Sequence, residues 1–434
     1  MKNRKCWILL LVALVTLLSM TGCTLGNSVE SLFTLPQLPE EYRGLSQTLE
    51  TMLDEGYTYL TPTVGPNIEP VQMVDLDTDG VKEAVALLRR SGDSQPLKVM
   101  VFRQNGGSFE KFCTVEHIGE SIDSISYQDL TGDGTAELLI GWRGDDNRKN
   151  ISVHLVDREA LSLLETRYNE YAVHDLTGAG MPGLLIISEG FLNQSSARYY
   201  TWETDIFCLN CSCRIDSDAE SLSRGSLLGG YLADGTPAMF LTAVKNRTLA
   251  ATEILTCVDR ELINIAPGGE ERLYCQLNPQ DIDGDGTTEV PYPVQTADIT
   301  AETKNAVVQW IGFAADGSKY KVAETYHCQS YGWFVTWPEE YWNGITVSNG
   351  DIISGENCAE FFLHSKPIAA IYSITCENRE SRAEMGDRFI VMRLPDTVFA
   401  GEVYDEPFAG GQEIQALRDG FSLIVNTWDT GGKE

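Results

Sequence analysis

The chain has 434 residues, a formal net charge of −31 and 43% hydrophobic residues. So large an acidic surplus argues against nucleic acid or a bare anionic lipid surface as a partner, and it favours divalent cations electrostatically. The length exceeds what one core usually holds, which predicts two domains.

The first residues read as a processing signal. Lys2, Arg4 and Lys5 make a positive start, Trp7 to Leu18 an apolar run, and Met20-Thr21-Gly22-Cys23 a small-residue cleavage site. This order resembles the lipobox of bacterial lipoproteins. The resemblance implies removal of 1–22, lipidation of Cys23, and an exported protein held by that lipid on the extracytoplasmic face of a membrane. The other reading is ordinary secretion with Cys23 a plain residue. Loss of 1–22 removes three positive and no negative charges, moving the net charge from −31 to −34. With Cys6 removed and Cys23 lipidated, nine of the eleven cysteines remain, an odd number for an exported chain, so at least one is free or paired between molecules.

Residues 23–37 read as a polar tether. Within 38–61, Tyr42, Leu45, Leu49, Met52 and Leu53 follow helical spacing, predicting one amphipathic helix that ends near Gly56.

An acidic loop then recurs. Asp75-Leu-Asp77-Thr-Asp79-Gly80-Val81-Lys-Glu83 and Asp281-Ile-Asp283-Gly-Asp285-Gly286-Thr287-Thr-Glu289 are full copies. Asp129-Leu-Thr131-Gly-Asp133-Gly134-Thr135-Ala-Glu137 is a third, with Thr at position 3. Carboxylates at positions 1, 3, 5 and 9, the carbonyl of position 7 and a turning Gly at position 6 can converge on one hard cation, and calcium takes six to eight oxygens in flexible geometry. A turn alone needs one Asp, not four carboxylates. A structural metal is expected, because the loop offers no adjacent base. Two eroded copies start at Asp175, where Ala179 and Gly183 replace carboxylates, and at Gly230, where only Asp234-Gly235 persists. The five starts are spaced by 54, 46, 55 and 51 residues, a period that fits one four-stranded sheet per repeat. Apolar runs follow each loop at Ala84 to Leu88, Leu138 to Trp142, Leu184 to Ile187, Ala238 to Val244 and Val290 to Val294. An EF-hand is excluded, since its position-12 Glu is replaced by Ala86, Ile140 and Tyr292 and strand formers follow.

These loops, each before a short strand, resemble the calcium loops of FG-GAP/VCBS repeats, the units of integrin-α-like β-propellers. Over 62–330 the resemblance implies a mainly β protein, a propeller of about five recognisable blades or more, and structural Ca2+. Residues 62–74 are available to close a ring against a later blade.

From Tyr331 the acidic loops cease. Strand-like runs at Ala359 to Leu363, Ile368 to Ile374, Phe389 to Leu394 and Val398 to Val403, then an amphipathic helix over Ile414 to Trp428, predict a small α+β domain over 331–434. Its aromatic opening and last helix are similar to Mog1/PsbP-like domains. The aromatic cluster at 331–342 reads as junction packing, with glycan stacking as the alternative.

Catalytic signals are absent from the pattern. No His pair has metal spacing, no nucleophile motif occurs, and Glu339-Glu340 are adjacent residues that read as a solvated turn. Cys208, Cys211 and Cys213 read as disulfide cysteines, with half a zinc site or free thiols as alternatives. The resulting expectation is a lipid-anchored, calcium-stabilised, non-catalytic binding or scaffold protein for a surface protein or glycan. The alternative is an envelope hydrolase or accessory subunit with its site in or beside the last domain.

Overall fold

The computed structural model describes residues 42–434 apart from 107, 191–193, 223–224, 246–248, 270, 274, 276, 295–304, 405–412 and 425–434. The expected signal, Cys23 and the tether lie outside the described residues. So does the start of the expected 38–61 helix, whose described part is α1, Arg43–Asp54, with Leu45 and Leu49 buried. Helix α1 and the Asn105–Phe109 turn form one small unit, in which the Tyr42 and Phe109 rings meet at 6.0 Å.

The other unit is mainly β and consists of six antiparallel sheets, none closed on itself among the described residues. The first holds β1 (Tyr57–Tyr59), β2 (Val71–Val74), β3 (Glu83–Arg90), β4 (Leu97–Asn105) and β5 (Ser108–His117). The second holds β6 (Ser121–Gln128), β7 (Glu137–Arg143), β8 (Lys149–His154) and β9 (Ser162–Tyr168). In the third are β10 (Glu170–His174), β11 (Gly183–Glu189), β12 (Ser195–Glu203) and β13 (Ile206–Arg214). The fourth has β14 (Leu227–Tyr231), β15 (Pro237–Lys245), β16 (Leu249–Val258), β17 (Glu261–Asn264) and β18 (Arg272–Leu273). The fifth begins with β19 (Val290–Pro293), β20 (Asn305–Phe313), β21 (Lys319–Cys328) and β22 (Trp333–Trp337). The sixth contains β23 (Ile345–Ile353), β24 (Glu356–Leu363), β25 (Lys366–Ile374), β26 (Phe389–Arg393) and β27 (Val398–Val403), and β28 (Phe421–Leu423) returns to β22 of the fifth.

Of the apolar runs after the acidic loops, the fifth becomes β19, the end strand of its sheet, half-buried at Tyr292 and Pro293, whereas the first four become inner strands with both faces covered. Continuous hydrophobicity, not alternation, is what such a strand requires. Val85 and Leu87 of β3 share a core with Leu138 and Ile140 of β7. On the opposite face of β7, Leu139 joins Leu184 and Ile186 of β11. Leu185 and Ile187 of β11 then meet Met239 and Leu241 of β15, and Ala238 and Phe240 of β15 meet Val290 and Phe313. Successive residues of one strand thus enter successive cores, and the sheets stack face to face in chain order. Truncating one such residue, as in Leu185→Ala, costs about 2–5 kcal/mol.

Three expectations need correction. Within 62–74, residues 71–74 form β2 and pair with β3 of their own sheet, and of the backbone amides only those of Thr63 and Val64 reach a later sheet, donating to the Asp123 carbonyl of β6. The boundary expected at 330/331 falls inside the fifth sheet, where Phe334 of β22 pairs with His327 of β21. Five strands, with the short helix α2 (Arg379–Ala383) between β25 and β26, make up a sixth sheet, whose Ala359, Phe361 and Ile371 share a core with Trp333 and Trp337 of the fifth. The last helix, α3, spans Glu413–Gly420; Phe421–Leu423, expected inside a helix over Ile414 to Trp428, form β28, and 425–428 lie outside the described residues. A Cβ on Gly420 would lie 2.6 Å from the Thr336 carbonyl oxygen, so the backbone passes tightly against β22 there and continues as β28.

Candidate metal centre

Loop one joins β2 to β3, loop two joins β6 to β7, and loop five runs from the isolated bridge residue Gln280 into β19, so all three sit at corresponding corners. Val74 pairs with Glu83 across loop one, Gln128 with Glu137 across loop two, and Gln280 bridges Glu289 across loop five. The eroded loop at Asp175 obeys the same register, His174 opposite Gly183. In the fourth, Gly230 pairs with Ala238, so Gly230 precedes the loop and Tyr231 is its first residue. The alignment start at Gly230 is therefore displaced by one, because this loop lacks one residue.

Neighbouring loops touch. The Ala136 amide donates to the Leu76 carbonyl at 2.7 Å and the Thr288 amide to the Tyr231 carbonyl at 2.9 Å. Met181 packs over Gly132 and Pro237 over Gly178. The five loops form a continuous row along one edge of the stack.

Within a loop, the first Asp accepts from the position-6 glycine amide: Gly80 to Asp75, Gly134 to Asp129 and Gly286 to Asp281, at 2.9–3.0 Å. Positive φ at these glycines, 86°, 88° and 90°, explains the residue type. The position-5 carboxylates, Asp79, Asp133 and Asp285, accept from the amides of Val81, Thr135 and Thr287. Position 9 is buried in every full copy, and its carboxylate accepts from the position-2 amide: Leu76 to Glu83, Leu130 to Glu137, Ile282 to Glu289. Burial raises the pKa of all three, Glu137 to about 7.

The predicted ligands do not all converge. In loop one, oxygens of Asp75, Asp77 and Glu83 lie within 4.8 Å of one another, while Asp79 belongs to no such group. In loop five the group is Asp281, Asp283 and Asp285, and Glu289 is instead engaged by Ile282 and by the Thr287 hydroxyl at 2.8 Å. No such group forms in loop two among the described residues, where Thr131 donates its hydroxyl to Glu137 at 3.3 Å.

Two side chains that local sequence did not flag complete the picture. Arg103 of β4 reaches Asp77 at 3.1 Å and Glu83 at 3.8 Å, placing a fixed cation beside loop one. Continuing the β19–β20 pairing by one step puts Gly312 at that position in loop five, covered by the Tyr320 ring. The second is Tyr199. In the loop at Asp175 its hydroxyl accepts from the Leu176 amide at 3.0 Å and donates to the His174 carbonyl at 2.9 Å, replacing the missing glutamate. Gly183 is glycine because the Tyr199 ring lies 2.4 Å from where a Cβ would stand. Arg103 and Tyr199 lie 20 and 16 residues beyond the position-9 residues they serve, so only strand pairing reveals them.

A bound cation fits loop one on a specific observation. Asp75 Oδ1 and Asp77 Oδ1 are buried and have no hydrogen-bond partner. Unpaired buried carboxylate oxygens facing a third carboxylate are unfavourable unless a cation joins them.

No family model matches the chain, and no curated protein matches it. Among solved structures, the rhamnogalacturonan lyase YesW matches with a TM-score of 0.31 and 10% identity, over 79% of this chain and 90% of the lyase. A Bacillus licheniformis rhamnogalacturonan lyase matches with a TM-score of 0.30 and 10% identity, over 72% of this chain and 76% of its own. Both are enzymes, and on this finding the expectation that the chain is not an enzyme is withdrawn. At these scores the likeness carries no activity over to the chain.

Proposed function

We propose that the chain is a calcium-stabilised β-propeller of FG-GAP/VCBS type, lipid-anchored through Cys23 on the extracytoplasmic face of a membrane, whose loop row holds a surface protein or glycan. The sheets would be its blades; their face-to-face order and their corresponding loops support that reading. The observation that carries the metal is the pair of partnerless buried oxygens on Asp75 and Asp77. Asp75, Asp77 and Glu83 would hold one ion and Asp281, Asp283 and Asp285 another. Bound calcium supplies charge neutralisation there, and the chain's own amides hold the carboxylates in place beforehand.

Thermal unfolding after chelation, with and without added calcium, tests it. Saturation at about a hundred times the dissociation constant stabilises the fold by roughly 2.7 kcal/mol per site. A melting temperature that calcium leaves unchanged removes the metal from the proposal. Pull-down against glycans and surface proteins, with and without calcium, tests the partner.

A further inference from the structure

We propose that Cys211 and Cys257 form a disulfide that ties the third sheet to the fourth. Their sulfurs lie 3.3 Å apart, the Cys211 thiol on β13 against the Cys257 thiol on β16. A bulge sets this up. Tyr199 pairs with Cys211 but Tyr200 pairs with Leu209, so Asn210 is an extra residue in β13. Beyond the bulge the side-chain alternation is reset. Cys208, Cys211 and Cys213, opposite Thr201, Tyr199 and Ala197, therefore share the face that carries Tyr199 and Ala197. That face packs on Leu255 of β16, and Cys257, two residues on, points the same way and closes on Cys211. Asn210 reaches Cys257 at 4.0 Å and Glu203 at 2.8 Å, bracing the bulge beside the pair.

A zinc site is the competing use of these thiols. Tetrahedral thiolate zinc needs a third and fourth donor. Among the described residues no group of three Cys, His, Asp or Glu forms here; the groups that do form are acidic.

The chemistry requires an oxidant of the disulfide class, either a thiol–disulfide oxidoreductase or a small disulfide. The Cys257 thiolate attacks one oxidant sulfur, expelling the other as a thiolate and leaving a mixed disulfide. Cys211, deprotonated, then attacks the Cys257 sulfur and releases the second oxidant thiolate. Two thiols lose two protons and two electrons, and the oxidant's disulfide is reduced to two thiols. Cys257 suits the first attack: it is only half-buried, and the Cys211 donor with the nearby Arg260 holds its pKa down.

The test uses the full-length chain with Cys208→Ser and Cys213→Ser, so that a linkage on β13 has one possible origin. The folded, reduced protein is incubated with oxidised glutathione, alkylated under denaturing conditions and digested without reductant. The expected product is a peptide pair joining Cys211 to Cys257, lighter by two hydrogens than the separate thiol peptides. Alkylation of both cysteines, or stable glutathione adducts in place of the pair, overturns the proposal. In the otherwise unaltered chain, reductant should lower the melting temperature of the oxidised protein, and Cys257→Ser should abolish that response. A response that survives Cys257→Ser, or stoichiometric zinc in the purified protein, also overturns it.

Discussion

Arg103 should compete with calcium at loop one, and Arg103→Gln should therefore tighten the metal there. The guanidinium sits 3.1 Å from Asp77 and 3.8 Å from Glu83, and its side chain is 33% exposed. Two unit charges about 4 Å apart interact by about 1 kcal/mol in water-like surroundings and about 4 kcal/mol at an effective dielectric of 20. Partial exposure places Arg103 toward the lower figure, and a divalent ion doubles it, giving about 2 kcal/mol of repulsion that Gln removes. That corresponds to roughly thirty-fold in dissociation constant. The metal-free variant should lose about 1 kcal/mol of stability, because Arg103 also stacks 3.9 Å from the Phe112 ring centroid. The assay is calorimetric titration of calcium into chelator-treated protein carrying Asp283→Asn, which silences loop five and isolates loop one. An affinity within twofold of the parent, or a weaker one, would refute the competition and make Arg103 a support of the site.

Further outcomes follow from the same geometry. Glu137 has a folded-state pKa of about 7 against an ordinary value of 4.5, through burial, so protonation favours the folded metal-free chain. Its ionisation penalty is absent below the unfolded pKa and complete above the folded one, so stability should fall by roughly 3 kcal/mol as pH rises from 4.5 to 7. Denaturant unfolding across that window should show this slope and Glu137→Gln should flatten it; an unaltered slope would assign the dependence to other groups. Tyr199→Phe leaves the buried Leu176 amide without its acceptor and should cost about 1–3 kcal/mol, with no change in calcium affinity. Equal losses with and without calcium would fit this, whereas a calcium-dependent loss would contradict the metal-free role of that loop. Cys23→Ser should release the protein from the membrane fraction, and persistence there would remove the lipid anchor.

The pattern of the first five sheets is legible because each repeat encodes itself locally: a turn of Asp and Gly residues followed by an apolar run is readable without knowing what packs on it. Alternate residues of that run facing two different cores is what continuous hydrophobicity means in a covered strand. The metal set was legible in part. Position 9 was assigned as a ligand, yet Glu83, Glu137 and Glu289 each accept from a backbone amide, a use that spacing does not reveal. The last helix was overextended because Phe421, Leu423 and Ile424 fit an amphipathic helix as well as a strand. Gly420 against the Thr336 carbonyl decides between them, and that contact is long-range.

The loops that lack full carboxylate sets explain what the frame must do before any metal arrives. The second residue of each copy is buried, or half-buried at Ile282, and its amide must be given an acceptor. Glu83, Glu137 and Glu289 supply carboxylates, Tyr199 supplies a hydroxyl, and in the shortened fourth loop the Thr236 carbonyl accepts from Leu232 at 2.9 Å. Satisfying that amide is therefore common to all five loops, while among the described residues carboxylate convergence is confined to loops one and five. The proposed metal would then be an addition to a corner that already closes, which is why a loop can lose its Asp residues and keep its place in the row. It follows that Asp283→Asn should abolish calcium binding at loop five while leaving the metal-free melting temperature within a few degrees. Glu289→Ala should lower that temperature even without calcium, since it removes the Ile282 acceptor from a buried site. Equal metal-free losses for the two variants would mean that the acidic residues and the corner are one device.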